Sequence, residues 1–286
     1  MSPLADPDHR TPLPWRWHAR ALQWLDFPLG KFLDYGCGQC RLMLWVKDQC
    51  SQCHGLDVQA EAFAQIQAEH PDLVLGQIGL DGKTDYPDDQ FDTIAIVEVI
   101  EHVGDERETL KELARILRPG GRLLLTTPHK GLLTFLDVGN VKFAFPRLHR
   151  WIHRWLVRRQ EYYQAHFERS QQTKLVGDIT VAPGRKPWHR HYKPHEIQAM
   201  CPPTLTLKRH AVYFPAMRLM MLLRVALRVC CLSLLKPFPP PLPWLERRLS
   251  RVESPSGDQL VMLFEKTRPQ PGKPSPRGSV KHGLTG

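Results

Sequence analysis

The chain has 286 residues, 42% of them apolar, and carries a net charge of +10 at pH 7. That length and apolar content suit one large α/β domain with insertions or two small domains, and exclude a small disulfide-stapled scaffold. A pI near 9.4 points to an anionic partner: nucleic acid, a phospholipid surface or an anionic substrate. A basic surface that serves only solubility is the alternative.

Residues 1–29 read as a Pro- and Trp-rich N-terminal extension with one helical stretch at 17–25. They contain no apolar signal core. The seven cysteines have no evident framework and suit a reducing compartment, so the expected location is cytoplasmic. Strands and helices then alternate. Strands are predicted at 32–35, 53–58, 73–78, 91–99 and 122–127, and helices at 41–47, 60–69 and 106–117. The run 91–99 is almost continuously apolar, as in a strand buried on both faces. Pro119-Gly120-Gly121 is expected to end the third helix. This alternation predicts a parallel sheet with helices on both faces and a ligand at the carboxyl ends of its strands.

The first strand runs into Gly36-Cys37-Gly38, after which a helical pattern opens. Gly36 allows a bend where a side chain would clash, and Gly38 leaves bare backbone against which a ligand can lie. Arg41 stands where the dinucleotide fingerprint has its third glycine, which disfavours a pyrophosphate and favours a nucleoside without phosphates. Asp57, about twenty residues on, can accept both hydroxyl hydrogens of a ribose. Cys37, Cys40, Cys50 and Cys53 have the spacing of a four-thiolate zinc site. Cys37 lies inside the glycine turn, however, where a metal would block the ligand, and small buried thiols are the preferred reading, with no metal expected.

Four stretches occur in order: Phe-Leu-Asp-Tyr-Gly-Cys-Gly ending at Gly38, Gly-Leu-Asp-Val ending at Val58, Tyr-Pro-Asp-Asp-Gln-Phe-Asp-Thr-Ile ending at Ile94, and Leu-Arg-Pro-Gly-Gly-Arg-Leu-Leu-Leu ending at Leu125. Together they resemble the class I methyltransferases that use S-adenosylmethionine, in the branch similar to ubiquinone O-methyltransferases. The resemblance is close over 30–128 and looser at 205–214 and 259–265. It implies a Rossmann-like seven-stranded methyltransferase sheet of the α/β class, its last strand antiparallel, with helical insertions after strands five and six. It also implies S-adenosyl-L-methionine as cofactor. Asp34, Gly36, Cys37 and Gly38 would hold its methionine end, Asp57 the ribose, Val58 the adenine, and Ile78, Gly79 and Leu80 would border the base. The family often has an Asp at about 77–79, which this chain lacks.

Glu98-Val-Ile-Glu101-His102 ends the fourth strand. In ubiquinone-type relatives Glu-x-x-Glu-His is associated with a divalent cation, which would lower the pKa of a substrate hydroxyl. Alternatively His102 is the general base, with Glu101 a second catalytic candidate and Glu98 on the cofactor's amino group. In a purely structural reading, Glu101 and His102 cap the next helix.

The domain plan is an N-terminal extension (1–29), a cofactor-binding core (30–128), a helical insertion or lid (129–204), a sixth strand (205–215), an apolar basic insertion (216–255), a seventh strand (256–267) and a disordered tail (268–286). In the first insertion Leu148, Trp151, Ile152, Trp155 and Leu156 form an apolar stripe beside Arg150, Arg154 and Arg158, as on a helix lying on an anionic membrane or packed on the domain. From the segment Trp188-His189-Arg190-His191-Tyr192, His191 is a candidate to reach the active site. Residues 216–235 are the most apolar in the chain but contain Arg218, Arg224 and Arg228. Two central arginines at about 2.5–3.5 kcal/mol each, against roughly 0.3–0.6 gained per large apolar residue, leave spanning near neutral. A monotopic helix with snorkelling arginines, or a lid over a greasy pocket, is expected instead.

These readings predict a methyltransferase acting at oxygen on a lipophilic or lipid-linked acceptor, peripheral on the inner face of a membrane. The alternatives are a methyltransferase of a soluble saccharide or small metabolite, and a catalytically silent membrane-associated binding module. Nucleic acid is not expected as a partner, since no Asn/Asp-Pro-Pro-Tyr-type motif or added binding domain is present.

Overall fold

The computed structural model describes residues 21–79, 81–131, 134, 145–152, 154, 175–176, 179–180, 190–220, 223, 245, 248–249 and 251–268. Their core is a seven-stranded sheet. In chain order the strands are β1 (Gly30–Tyr35), β2 (Cys50–Asp57), β3 (Leu73–Gln77), β4 (Phe91–Val97), β5 (Leu117–Pro128), β6 (Leu205–Pro215) and β7 (Gly257–Lys266). Across the sheet they run β3-β2-β1-β4-β5-β7-β6. All pairs are parallel except those of β7, which is antiparallel to both β5 and β6. The order reverses between β1 and β4, and at such a switch point the carboxyl ends of two strands leave a crevice open.

Successive residues of a strand face opposite sides, and the two hydrophobic clusters follow that alternation. Phe32, Ala95, Leu124 and Val261 belong to one, with Met43 and Val46 of helix α1 (Arg41–Val46). Leu33, Ile94, Leu125 and Met262 belong to the other, with Leu110 and Leu113 of helix α3 (Glu106–Ile116). Between them, α2 (Phe63–Glu69) follows β2. The start of α3 is capped by Asp105, whose side chain accepts from the backbone N–H of Arg107 (2.9 Å) and Glu108 (3.1 Å).

Several element ends differ from the sequence expectation. Pro119-Gly120-Gly121 does not precede the fifth strand but lies inside it. Phe91 pairs with Leu117 and Thr93 with Arg122, so β5 absorbs the turn as an irregularity and resumes its register. β4 stops at Val97 because Glu98 takes a left-handed φ of 55°, which no strand accommodates. β2 starts three residues early, since Cys50 already pairs with Gly30. Helix 60–69 is helical only from Phe63.

In the first insertion α4 (Pro146–Ile152) is a short helix, and α5 (Pro194–Met200) precedes β6. Trp151 was expected on a stripe that packs either on a membrane or on the domain; it is 53% exposed. Leu80, His189, Trp155, Leu156, Arg158, Arg224, Arg228 and the tail beyond Arg268 lie outside the described residues. Among the described residues no helix is long and apolar enough to cross a membrane.

Candidate active site

The glycine turn hangs on the end of β2. Gly36 N–H and Cys37 N–H both donate to the Leu56 carbonyl, at 2.7 and 3.0 Å. Gly36 has φ 86°, and a Cβ built there would lie 2.3 Å from Cγ2 of Val99. No other residue fits beneath the loop that leaves β4. Gly38, with φ 51°, is the opposite case: a Cβ there would meet nothing within 4 Å. The turn therefore presents bare backbone to an open space, as a ligand requires. Asp57 ties the two strand ends together. Its carboxylate accepts from Gly38 N–H at 2.8 Å and from Gln59 N–H at 2.9 Å. Asp34 is buried behind the turn, and burial, with Asp57 as a lesser cause, pushes its carboxyl up to about 7.

The thiols of Cys37 and Cys40 are buried 3.8 Å apart, and Cys50 donates to the Val46 carbonyl at 3.2 Å. Among the described residues no three His, Cys, Asp or Glu side chains gather as a metal site. On the far side of Asp57, Val58 is 41% exposed. Ile78 is buried, with its N–H on the Asp57 carbonyl at 2.9 Å, and Gly79 is exposed beside it. The acid that the sequence lacks at 77–79 has a neighbour that sequence reasoning passed over: the Asp81 carboxylate stands 2.9 Å from where a Gly79 Cβ would be.

Glu98, Glu101 and His102 do not converge. Glu98 accepts from Thr126 Oγ1 at 3.0 Å, while its N–H donates to the Thr126 carbonyl at 3.1 Å. Glu101, fully buried, accepts from Thr127 Oγ1 at 2.9 Å. Thr126 and Thr127 are consecutive residues of β5 and point to opposite faces of the sheet, so the two carboxylates are drawn apart. A single cation held by the Glu-x-x-Glu-His segment does not fit this geometry, and Asp105, not Glu101 or His102, caps α3. His102 Nε2 lies 3.7 Å from Glu101 Oε1, which orients the half-buried ring. Burial pushes the Glu98 carboxyl up to about 8, against the lowering effect of the Thr126 hydroxyl. A left-handed, half-buried glutamate at a strand end is a strained arrangement of the kind that gathers at functional sites.

The segment ending in Tyr192 is clamped across the top of β5. Tyr192 N–H donates to the Pro128 carbonyl at 3.0 Å and Lys130 N–H to the Tyr192 carbonyl at 2.9 Å. The Tyr192 hydroxyl donates to Glu106 at 2.8 Å, and Arg190 pairs with the same carboxylate. Burial, then the Glu106 charge, hold the Tyr192 hydroxyl well above its ordinary pKa. Tyr192 is a latch to α3, and His191 rides beside it, half-buried.

The structure also corrects Arg218. Expected to snorkel towards lipid headgroups, it is only 3% exposed and pairs with Asp258 at 2.5 Å, itself 1% exposed. The guanidinium donates further to the His129 carbonyl at 2.9 Å, and Arg218 N–H to Asp258 at 3.2 Å. His129 Nδ1 meets the Gly257 carbonyl at 2.8 Å. The start of the second insertion, at Arg218, is thus bolted to the β5 and β7 ends. No local pattern marks Asp258 as the partner, since it lies 40 residues away.

The family description "Methyltransferase domain" matches residues 33–125, which include the glycine turn, Asp57 and the Glu98 to His102 segment. Residues 33–125 thus form a methyltransferase domain, similar in sequence to S-adenosylmethionine-dependent methyltransferases. A relative from Mycolicibacterium smegmatis, named "Probable S-adenosylmethionine-dependent methyltransferase", is 31% identical over 34% of this chain and 38% of its own length. A ubiquinone biosynthesis O-methyltransferase of Paracidovorax citrulli is 27% identical over 40% of this chain and 52% of its own. The chain thus spans about half or less of these relatives. A solved S-adenosylmethionine-dependent methyltransferase from Mesorhizobium loti is 16% identical and covers 87% of this chain and 98% of its own, with a TM-score of 0.50. That likeness is one of fold.

The residues of this site fit S-adenosylmethionine, the cofactor named for the relatives. Gly38 faces open space, Asp57 offers two carboxylate oxygens beside it, and Val58 offers an exposed apolar surface. Buried Asp34 and half-buried Glu98, both raised in pKa, are suited to a ligand that brings positive charge, which would return them to their ionised forms.

Proposed function

We propose that this methyltransferase acts at an oxygen of a lipophilic or lipid-linked acceptor at the face of a membrane. The observation that carries the methyl-transfer reading is the join of Gly38 and Asp57 across the β1 and β2 ends, next to the strained Glu98. The lipophilic acceptor is supported by the named chemistry of the ubiquinone relative and by the basic, apolar insertions after β5 and β6.

When bound, S-adenosylmethionine supplies a methyl group activated on a sulfonium sulfur. The chain's own residues bind, align and exclude water. Asp57 accepts the ribose hydroxyls, Val58 and Ile78 flank the base, and Asp34 and Glu98 neutralise positive charge at the methionine end. His102, whose Nε2 faces Glu101, is the base assigned to the acceptor's hydroxyl proton. The clamp made by Arg190, Tyr192 and Glu106 holds the first insertion over the β5 end.

A pH dependence follows from the two raised carboxyls. Below about 7–8 they are protonated in the free protein, and a cationic ligand must displace those protons. Affinity for S-adenosylhomocysteine, which keeps the ammonium, is therefore expected to rise with pH from 6 to 8, by up to about tenfold per unit for each proton released, and then to level off. Calorimetry in buffers of different ionisation enthalpy counts the protons. Glu98→Gln should flatten the upper part of the profile; a wild-type profile without slope would remove both carboxyls from the cofactor site.

The acceptor is tested by incubating the full chain with methyl-labelled S-adenosylmethionine and a lipid extract. Base-labile or ether-linked label in the organic phase is the expected result. Label confined to water-soluble compounds would overturn the lipophilic reading and favour the soluble metabolite.

A further inference from the structure

α4 carries a feature that methyl transfer does not use. Pro146, Arg147, Arg150, Trp151 and Arg154 line an open groove of about 470 Å³. The four larger residues are spaced i, i+3, i+4, i+7, the interval at which a helix of a globular domain usually turns its apolar stripe inward. Here Arg147, Arg150 and Trp151 of α4, with Arg154 just beyond its end, are turned outward: Trp151 is 53% exposed and Phe145, just before the helix, 61%. Residues 138–160 contain six lysines or arginines and no Asp or Glu. Large exposed aromatics beside clustered cations are poorly suited to water alone. They are well suited to a boundary where an anionic layer overlies an apolar one.

We propose that the α4 groove is the contact of this chain with an anionic phospholipid surface. The guanidinium of arginine presents paired N–H donors that match the oxygens of a phosphate. Arg147, Arg150 and Arg154 take headgroup phosphates, and Trp151 and Phe145 seat at the level where the headgroups meet the acyl chains, as amphipathic aromatics do at membrane interfaces. The groove lies in the insertion that follows β5, the strand whose end carries Thr126, Thr127 and the Tyr192 clamp. This inference rests on the membrane reading proposed above and names its contact residues.

The test is flotation of the full chain with vesicles of phosphatidylglycerol and phosphatidylcholine, against vesicles of phosphatidylcholine alone, at low and high salt. Binding is expected to the anionic vesicles only and to weaken with salt. Each basic side chain near an anionic surface contributes about a fivefold gain in partitioning, so Arg147→Gln, Arg150→Gln and Arg154→Gln combined should lower it about 100-fold. S-adenosylhomocysteine binding by calorimetry should be unchanged in that variant, which shows that it folds. Quenching of tryptophan fluorescence by brominated lipid should fall in Trp151→Phe. A triple variant that floats like the wild type overturns the groove while leaving the membrane reading intact. Failure of the wild type to bind anionic vesicles overturns both. Inorganic pyrophosphate that binds the groove and displaces the vesicles equally well would make it a site for a soluble anion, and selective binding of single-stranded RNA would make it a nucleic-acid surface; either result overturns the lipid assignment. Methyl transfer to a detergent-dispersed acceptor is read separately, so loss of vesicle binding does not count against the chemistry.

Discussion

Asp258→Ala is expected to destabilise the protein by about 3–5 kcal/mol. The Asp258 carboxylate and the Arg218 guanidinium are both almost wholly removed from water and lie 2.5 Å apart. Removing the acid leaves a buried cation whose remaining contacts are the His129 carbonyl and a long approach to Thr134 Oγ1 at 3.5 Å. A cation stripped of its counter-charge in a low-dielectric interior has no compensation for its lost hydration. The damage should centre on the β7 start and the segment from Ala216 to Met220, where Arg218 N–H also loses its acceptor. Urea unfolding measures the effect. The double variant Asp258→Ala with Arg218→Met should recover most of the loss, because two apolar groups leave no charge unpaired. A single variant that unfolds at the wild-type midpoint would show that the pair is solvated in solution, and the second insertion would again be free to present Arg218 at a surface.

Asp57→Ala is the largest expected effect on binding. Its two oxygens currently accept from Gly38 and Gln59 N–H, and with the cofactor bound they accept the ribose hydroxyls. A hydrogen bond to a charged group contributes roughly 1.5–3 kcal/mol, so the loss of two lowers affinity for S-adenosylhomocysteine by at least about 100-fold. The fold should survive, since both backbone contacts of Asp57 are at the exposed rim of the turn. Calorimetry gives the affinity and thermal unfolding the control. Asp57→Asn, which keeps one acceptor oxygen, should fall between the wild type and alanine. Unchanged affinity in Asp57→Ala would remove this residue, and the turn it ties together, from the cofactor site.

Both predictions concern carboxylates, yet only one of them could be read from the chain. Asp57 was legible because its role is local in topology: a strand, a glycine turn and a second strand place it about twenty residues beyond Gly36, and parallel pairing of β1 and β2 does the rest. Asp258 was not legible. It stands at the start of β7, before the apolar run Leu260 to Phe264, and only the antiparallel insertion of β7 between β5 and β6 brings it to Arg218. The Glu98 to His102 segment lies between these cases. Its position at the end of β4 was evident from the apolar run before it. That its two glutamates separate was not, because their directions are set by Thr126 and Thr127 on the neighbouring strand, and those alternate by the pleat of β5.

The first insertion shows the same division. Helical spacing marked Trp151 as one member of an apolar stripe and Arg150 and Arg154 as a stripe beside it. In the structure Trp151, Arg147, Arg150 and Arg154 share one groove. Periodicity shows which residues share a face; it does not show whether that face is covered. Likewise the sequence marked Tyr192 as a residue of a lid, while its hydroxyl is committed to Glu106 at the start of α3, a contact across 86 residues.

By itself, then, the amino-acid order determined the alternation of strands and helices, the glycine turn and its carboxylate, and the methyltransferase-domain resemblance of residues 33–125, because each depends on interactions within some twenty to thirty residues or on the intrinsic backbone freedom of glycine. Tertiary structure alone decided which buried charges are paired, on which face of the sheet each acid of the β4 end lies, and which side of α4 meets solvent. Those outcomes depend on partners brought together by strand order and on water excluded by packing, and neither leaves a local trace in the chain.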